Sequence, residues 1–214
     1  MATNEQFNQL YQYFEFLTET HLVEQFGMDT GKILSDRFKK LFNEHFSTNK
    51  GLMPDLISKQ HGINSTFIMA LDDTLKTQNL SREDLKINVL SIYQTMLKDL
   101  LQKQANQLES SENPWQSFVE MAKVGNQQLY ENDFFQLKTI HEDASKFGFD
   151  ICKCLYFDIF KENNKAELGS ILCEYDYIIA SNNKNLAEFQ RFDTIAKGDS
   201  CCTFRFYRVS KSER

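Results

Sequence analysis

Proline occurs only at Pro54 and Pro114 in this 214-residue chain, and so few breakers favour long regular elements, mostly helices. The first 130 residues use that freedom at helical period. Thr3 and Gln6 form a capping-box pair ahead of Phe7, Leu10, Tyr11, Phe14 and Leu17, which recur at steps of three and four. A second helix is predicted from near Thr30, with Ile33, Leu34, Phe38, Leu41, Phe42 and Phe46 facing inward. Residues 56–67 loosely follow a helix–Gly62–helix pattern. The second helix of that pair has no Lys or Arg and carries Asp72 and Asp73, so it suits a packed helical hairpin and not a DNA reader. Ser81 caps the longest helix, whose inner stripe is Leu85, Val89, Ile92, Tyr93, Met96, Leu100 and Leu101. After a linker at residues 109–112, Asn113 and Pro114 open a further helix carrying Trp115, the single tryptophan.

The period changes after Asn132. Alternating residues predict strands near 135–141 and 147–152, joined by a turn containing Asp143, Ser145 and Lys146. Helical segments follow at about 155–161 and 166–180, then strands at 188–196 and 201–208 flanking the turn at 197–200. The expected class is α+β: an N-terminal helical region, residues 1–130, then residues 131–214 as a four-stranded antiparallel sheet with two inserted helices. A four-stranded sheet needs helices over one face, so the two regions read as one continuous domain. Residues 210–214 are expected to fray.

The formal charge of −6 argues against a broad grip on nucleic acid or anionic membrane. No apolar run approaches the ~20 residues of a membrane span, and residues 1–5 lack the features of a secretory signal. A cytoplasmic protein is expected. An odd cysteine count without an export signal then predicts free thiols and no disulfide framework. The helical half could supply homo-oligomer contacts.

All five cysteines, Cys152, Cys154, Cys173, Cys201 and Cys202, lie in the last third of the chain. Cys173, Asp176, Tyr177 and Ala180 fall at i, i+3, i+4 and i+7 of one predicted helix, so they share a stripe. An aspartate beside Ile and Tyr breaks the binary pattern, which suggests either a functional group or one paired with a partner such as Arg191. In the last strand, Cys202, Phe204 and Phe206 share one face, and Cys201, Thr203 and Arg205 share the other. Neither Cys152-Lys153-Cys154 nor Cys201-Cys202 has zinc-knuckle spacing. No metal or other cofactor is expected, with zinc on His141, Cys154, Cys173 and Cys202 as the minority alternative.

Cys154-Leu155-Tyr156, Ala166-Glu167-Leu168, Leu172-Cys173-Glu174-Tyr175-Asp176, Arg191, the run from Thr194 to Asp199, and Cys202-Thr203-Phe204-Arg205-Phe206 occur in this order. Over about residues 130–207 this pattern resembles the L-2-amino-thiazoline-4-carboxylic acid hydrolase family. The family usually places Asp where this chain has Thr203, and Cys152 and Cys201 are additions to its pattern. The resemblance implies hydrolytic opening of a small cyclic amidine or thiazoline ring, giving N-carbamoyl-L-cysteine from the family's substrate. Asp176 is then the candidate base, with Cys173 or Cys202 as acid or nucleophile. Arg191 or Arg205 would hold the substrate carboxylate, and Cys154 and Thr203 would complete the substrate-binding set. The alternative is a sensor-like module on the same fold that binds a small molecule or metal without catalysis.

Overall fold

The computed structural model describes residues 3–210, so most of the tail expected to fray, residues 211–214, lies outside them. The described residues form two compact units, residues 3–96 with 155–172 and residues 97–154 with 173–210. Each unit is built from two separate stretches of the chain.

In the first unit, α1 (Asn4–Phe26) starts at the Thr3 capping box, both of whose hydrogen bonds form. Gly27, at φ +79°, lets the chain turn directly into α2 (Met28–Thr48). Phe14, Phe38, Phe42, Phe67 and Tyr93 are fully or almost fully buried. Their rings interlock, with Phe14–Phe67 centroids at 4.9 Å and Phe67–Tyr93 edge-on at 5.5 Å. Ile33 departs from the predicted inner face and stands 70% exposed.

The helical hairpin expected within residues 54–76 is instead one continuous helix, α3 (Leu56–Leu75), capped by Asp55. Gly62 does not break it. A Cβ there would lie 2.0 Å from Met53 Sδ, so the glycine is a packing choice and not a turn signal. The long helix α4 (Arg82–Glu109) begins at Ser81, whose Oγ accepts from Asp84 N–H, and Leu100 on its predicted inner stripe is exposed. Residues 82–96 of α4 belong to the first unit.

The chain returns to this unit in α6 (Leu155–Glu162), which packs Ile159 and Phe160 inward. His61 Nδ1 on α3 shares a 2.6 Å hydrogen bond with the Tyr156 hydroxyl on α6. Just beyond α6, Lys165 Nζ donates to Asp72 Oδ2 at 2.7 Å and Asp73 Oδ1 at 2.6 Å. Asp73 also meets His45 at 2.9 Å and Lys76 at 3.0 Å. Burial would raise the Asp73 pKa, but hydrogen bonds from His45, Lys165 and Lys76 outweigh it and hold the carboxyl well below its ordinary range.

The second unit carries the sheet. Among the described residues it has five antiparallel strands where four were expected, in the order β1 (Glu131–Asn132), β2 (Phe135–Glu142), β3 (Lys146–Cys154), β5 (Cys202–Arg208), β4 (Ala187–Gln190). The additional strand, β1, has two residues, too few to show alternation. The strand expected at 188–196 keeps only its first part, because the chain turns out of the ladder after Gln190 and enters a 3₁₀ turn at Ile195–Lys197. Phe149 pairs with Phe204 and Phe147 with Phe206, setting these rings on one sheet face. Phe118 of α5 (Pro114–Tyr130) meets Phe206 on that face at 5.3 Å.

Two outcomes follow for the first unit. Lys165→Met leaves two acids sharing only Lys76 and His45, and it is expected to lower unfolding free energy by about 3 kcal/mol in urea titration. Asp73 has a depressed folded pKa, so its contribution is complete above the unfolded value of about 4 and is lost as pH falls below it. The drop in urea midpoint on acidification below about pH 4 should therefore be smaller in Asp73→Asn than in the wild-type chain.

Candidate functional site

The second inserted helix is not continuous. It is divided into α7 (Gly169–Cys173) and α8 (Tyr175–Asn182), with Glu174 between them. The break leaves the Cys173 carbonyl without a helical donor, and Arg191 Nη2 donates to it at 2.7 Å. Arg191 Nη1 pairs with Asp176 Oδ2. The guanidinium lies 4.9 Å from the Tyr177 ring centroid and 5.5 Å from that of Phe204. Arg191 is two residues beyond Phe189, which pairs with Phe206 on the aromatic face, so alternation delivers its side chain there.

The Arg191 side chain is 3% exposed, whereas that of Asp176 keeps 29% of its surface open. Burial among α8 and the sheet rings raises the Asp176 carboxyl to about 6, and the adjacent Arg191 charge opposes but does not overcome that rise. The Asp176 side chain is thus covered by protein over most of its surface, with the remainder open. Burial, reinforced by the Asp176 charge, pushes the Cys173 thiol up to about 12. Cys202 is also raised, chiefly by burial, although its Sγ accepts a hydrogen bond from Ile195 N–H at 3.3 Å. Both thiols therefore stay protonated near neutral pH.

Asp176, Cys173, Arg191 and Cys202 come together on the aromatic side of the sheet. The Asp176 and Arg191 charges both act on Cys173, Asp176 raising its thiol pKa and Arg191 lowering it. Thr203 and Arg205 alternate to the opposite face. Thr203 Oγ1 accepts from Phe192 N–H at 3.2 Å and Asp193 N–H at 3.1 Å, bracing the segment that carries Arg191. Arg205 pairs with Asp150 at 2.7 Å and donates to the carbonyls of Phe149 and Phe204, each at 2.9 Å. Cys154 ends β3 opposite Phe135, beyond a register shift. Among the described residues, no three His, Cys, Asp or Glu side chains are placed to hold a metal, and no helix is long and apolar enough to cross a membrane.

One cysteine expectation is overturned. Cys152 and Cys201 form a disulfide, and only Cys154, Cys173 and Cys202 remain outside one. An odd count does not exclude one pair: strand register sets Cys152 directly opposite Cys201, one step beyond the Ile151–Cys202 pair. The contact missed altogether is Arg191 with the Cys173 carbonyl, which exists only because the helix breaks after Cys173.

The family model for L-2-amino-thiazoline-4-carboxylic acid hydrolase matches residues 60–206, starting well before the motif-bearing stretch and taking in most of α3 and all of α4. No curated protein matches the chain. Among solved structures, the chain is similar to an Fe(II) unliganded H-NOX protein mutant from K. algicida, with 11% identity, 93% of this chain and 97% of that one covered, and a TM-score of 0.42. It is also similar to an H-NOX domain from Shewanella oneidensis in the Fe(II)CO state, with 10% identity, 93% and 98% covered, and a TM-score of 0.43.

The carboxyl chemistry is directly measurable. With ¹³C-labelled aspartate, the Asp176 carboxyl should titrate near 6, and Arg191→Gln should move its midpoint upward because a charge that lowers it has been removed. A midpoint at the ordinary carboxylate value would refute the burial argument.

Proposed function

The chain belongs to the L-2-amino-thiazoline-4-carboxylic acid hydrolase family, and from that premise we propose that it hydrolyses a small cyclic amidine of the thiazoline type at the Asp176 cluster. The observation that carries the proposal is the Asp176 side chain, paired with a buried Arg191 yet keeping 29% of its surface open, where burial raises the carboxyl to about 6. A base with that affinity is ionised at neutral pH yet takes a proton more readily than an ordinary aspartate.

In the proposed reaction, water adds to the ring carbon lying between nitrogen and sulfur. Asp176 accepts a proton from the attacking oxygen, and the ring nitrogen gains the other. The carbon–sulfur bond then breaks, the oxygen becomes the carbonyl oxygen of a urea, and the proton held by Asp176 passes to the departing sulfur. One water is consumed and no redox change occurs. Cys173 and Cys202, protonated near neutrality, line the site as thiols, which suits weak hydrogen bonding to sulfur better than nucleophilic attack. Arg191 is too covered to meet a substrate. Its place is behind Asp176, fixing the carboxylate's position with one end of the guanidinium on the Cys173 carbonyl.

One observation favours a second reading, binding without turnover. Asp176 already has a strong partner in Arg191, and a protonated cyclic amidine could pair with the carboxylate's open side without being attacked.

Mass spectrometry of L-2-amino-thiazoline-4-carboxylate incubated with purified protein tests both. Product heavier by one water is expected, with kcat/KM rising with pH through about 6 and then levelling, because the base must be ionised. Asp176→Asn should lower kcat by ~10²-fold or more. Unchanged turnover in that variant would remove Asp176 from the mechanism. Absence of product, together with a ligand-induced shift of the Asp176 titration, would support the binding reading.

A further inference from the structure

The Cys152–Cys201 disulfide lies outside the proposed chemistry, yet it is joined covalently to the segment on which that chemistry depends. Cys201 precedes Cys202, whose Sγ receives the Ile195 N–H at 3.3 Å. Between β4 and β5 the chain returns over residues 191–201. Apart from Arg191, that return segment is held by a short set of contacts. Thr203 Oγ1 takes two of its N–H groups while Thr203 N–H donates to the Asp193 carbonyl at 3.1 Å. Asp199 Oδ2 accepts from Thr194 N–H at 2.9 Å and Asp199 N–H donates to the Thr194 carbonyl at 3.2 Å, and the 3₁₀ turn closes at Gly198, φ +99°. The disulfide fastens the far end of this segment to the end of the β3–β5 ladder, with 4.0 Å between the Cα atoms. It does so on the face opposite Cys202 and the aromatic rings. Cys152 is exposed and Cys201 partly so, so a small thiol reaches the bond without the sheet opening.

We propose that Cys152–Cys201 is a redox-modifiable site whose reduction loosens the 191–201 return and thereby the seat of Arg191 and Cys202. The reductant class is a small dithiol. One of its thiolates attacks a disulfide sulfur to give a mixed disulfide, and its second thiol closes on the first. Cys152 and Cys201 leave as thiols, two electrons and two protons having passed from the dithiol, which becomes a cyclic disulfide. Cys173 and Cys202 do not take part. Cys202 is buried and Cys173 half-buried, and both are protonated thiols on the other side of the sheet.

The full chain, purified without reductant, is unfolded in denaturant with an alkylating agent before and after dithiothreitol. Three labels are expected before reduction and five after, matching the three cysteines outside the disulfide and the two within it. Native-state amide exchange then reads the coupling. Reduction under native conditions should speed exchange at Phe192, Asp193 and Ile195 by ~tenfold or more, while core amides of α3 stay unchanged. Cys201→Ser should show the fast exchange without dithiothreitol, and the reduced wild-type chain serves the same purpose where that variant does not fold. Five labels before reduction would overturn the pairing. Equal exchange in the two redox states would overturn the coupling and leave the disulfide a static staple. Neither readout depends on turnover, so both stand or fall apart from the hydrolase reading.

Discussion

The pairing register of β3 with β5 is the constraint on which the second unit rests. Phe149 opposite Phe204 and Phe147 opposite Phe206 build a continuous aromatic surface, with the Phe149 and Phe204 rings stacked at 4.7 Å. A slip of one residue would send each of these rings to the other side. It would also separate Cys152 from Cys201 and part Arg205 from Asp150. The same register therefore fixes an apolar face that can bury a guanidinium and an outer face carrying an ion pair and a disulfide. Neither face could be altered alone.

On the apolar face, two effects compete over Asp176. Withdrawal from water favours the neutral acid, and Arg191 favours the anion. Burial prevails, so the carboxyl is raised even in contact with a cation. Asp73 in the first unit has the opposite outcome. It too is partly withdrawn from water, but three donors from different segments converge on it and hold it ionised. The contrast lies in the number of donors. Three donors make Asp73 a permanently charged tie between α3, α2 and the segment after α6, whereas one donor leaves Asp176 able to exchange a proton near neutral pH.

Periodicity made much of this legible in the sequence. The Thr3 box, the Asn113–Pro114 start, the β2–β3 hairpin and the alternation of Cys202, Phe204 and Phe206 are local patterns, and each is realised where its residues indicate. What escaped was set by distant contacts. Gly62 reads as a turn, but Met53 fills the space its missing side chain leaves, so α3 runs straight through. Ile33 and Leu100 fit helical stripes by spacing, yet tertiary packing leaves both exposed. The Cys173–Asp176 stripe was visible, although the break at Glu174, which frees the Cys173 carbonyl for Arg191, was not. The disulfide was hidden for a related reason: cysteine count is a property of the whole chain, whereas pairing depends on strand register.

Register also accounts for Thr203, the position at which the chain departs from the family's usual Asp. Its hydroxyl accepts from two successive N–H groups and can donate to Asp193 Oδ2 at 3.3 Å. A carboxylate at 203 could accept from the same two N–H groups, but it would set a second negative charge against Asp193 with no proton to share. Threonine satisfies all three contacts at once. Because residue 203 points to the face opposite Cys202 and Asp176, what it controls is the path of the chain into Arg191, and a hydroxyl serves that purpose. The substitution thus bears on how the Arg191 segment is braced.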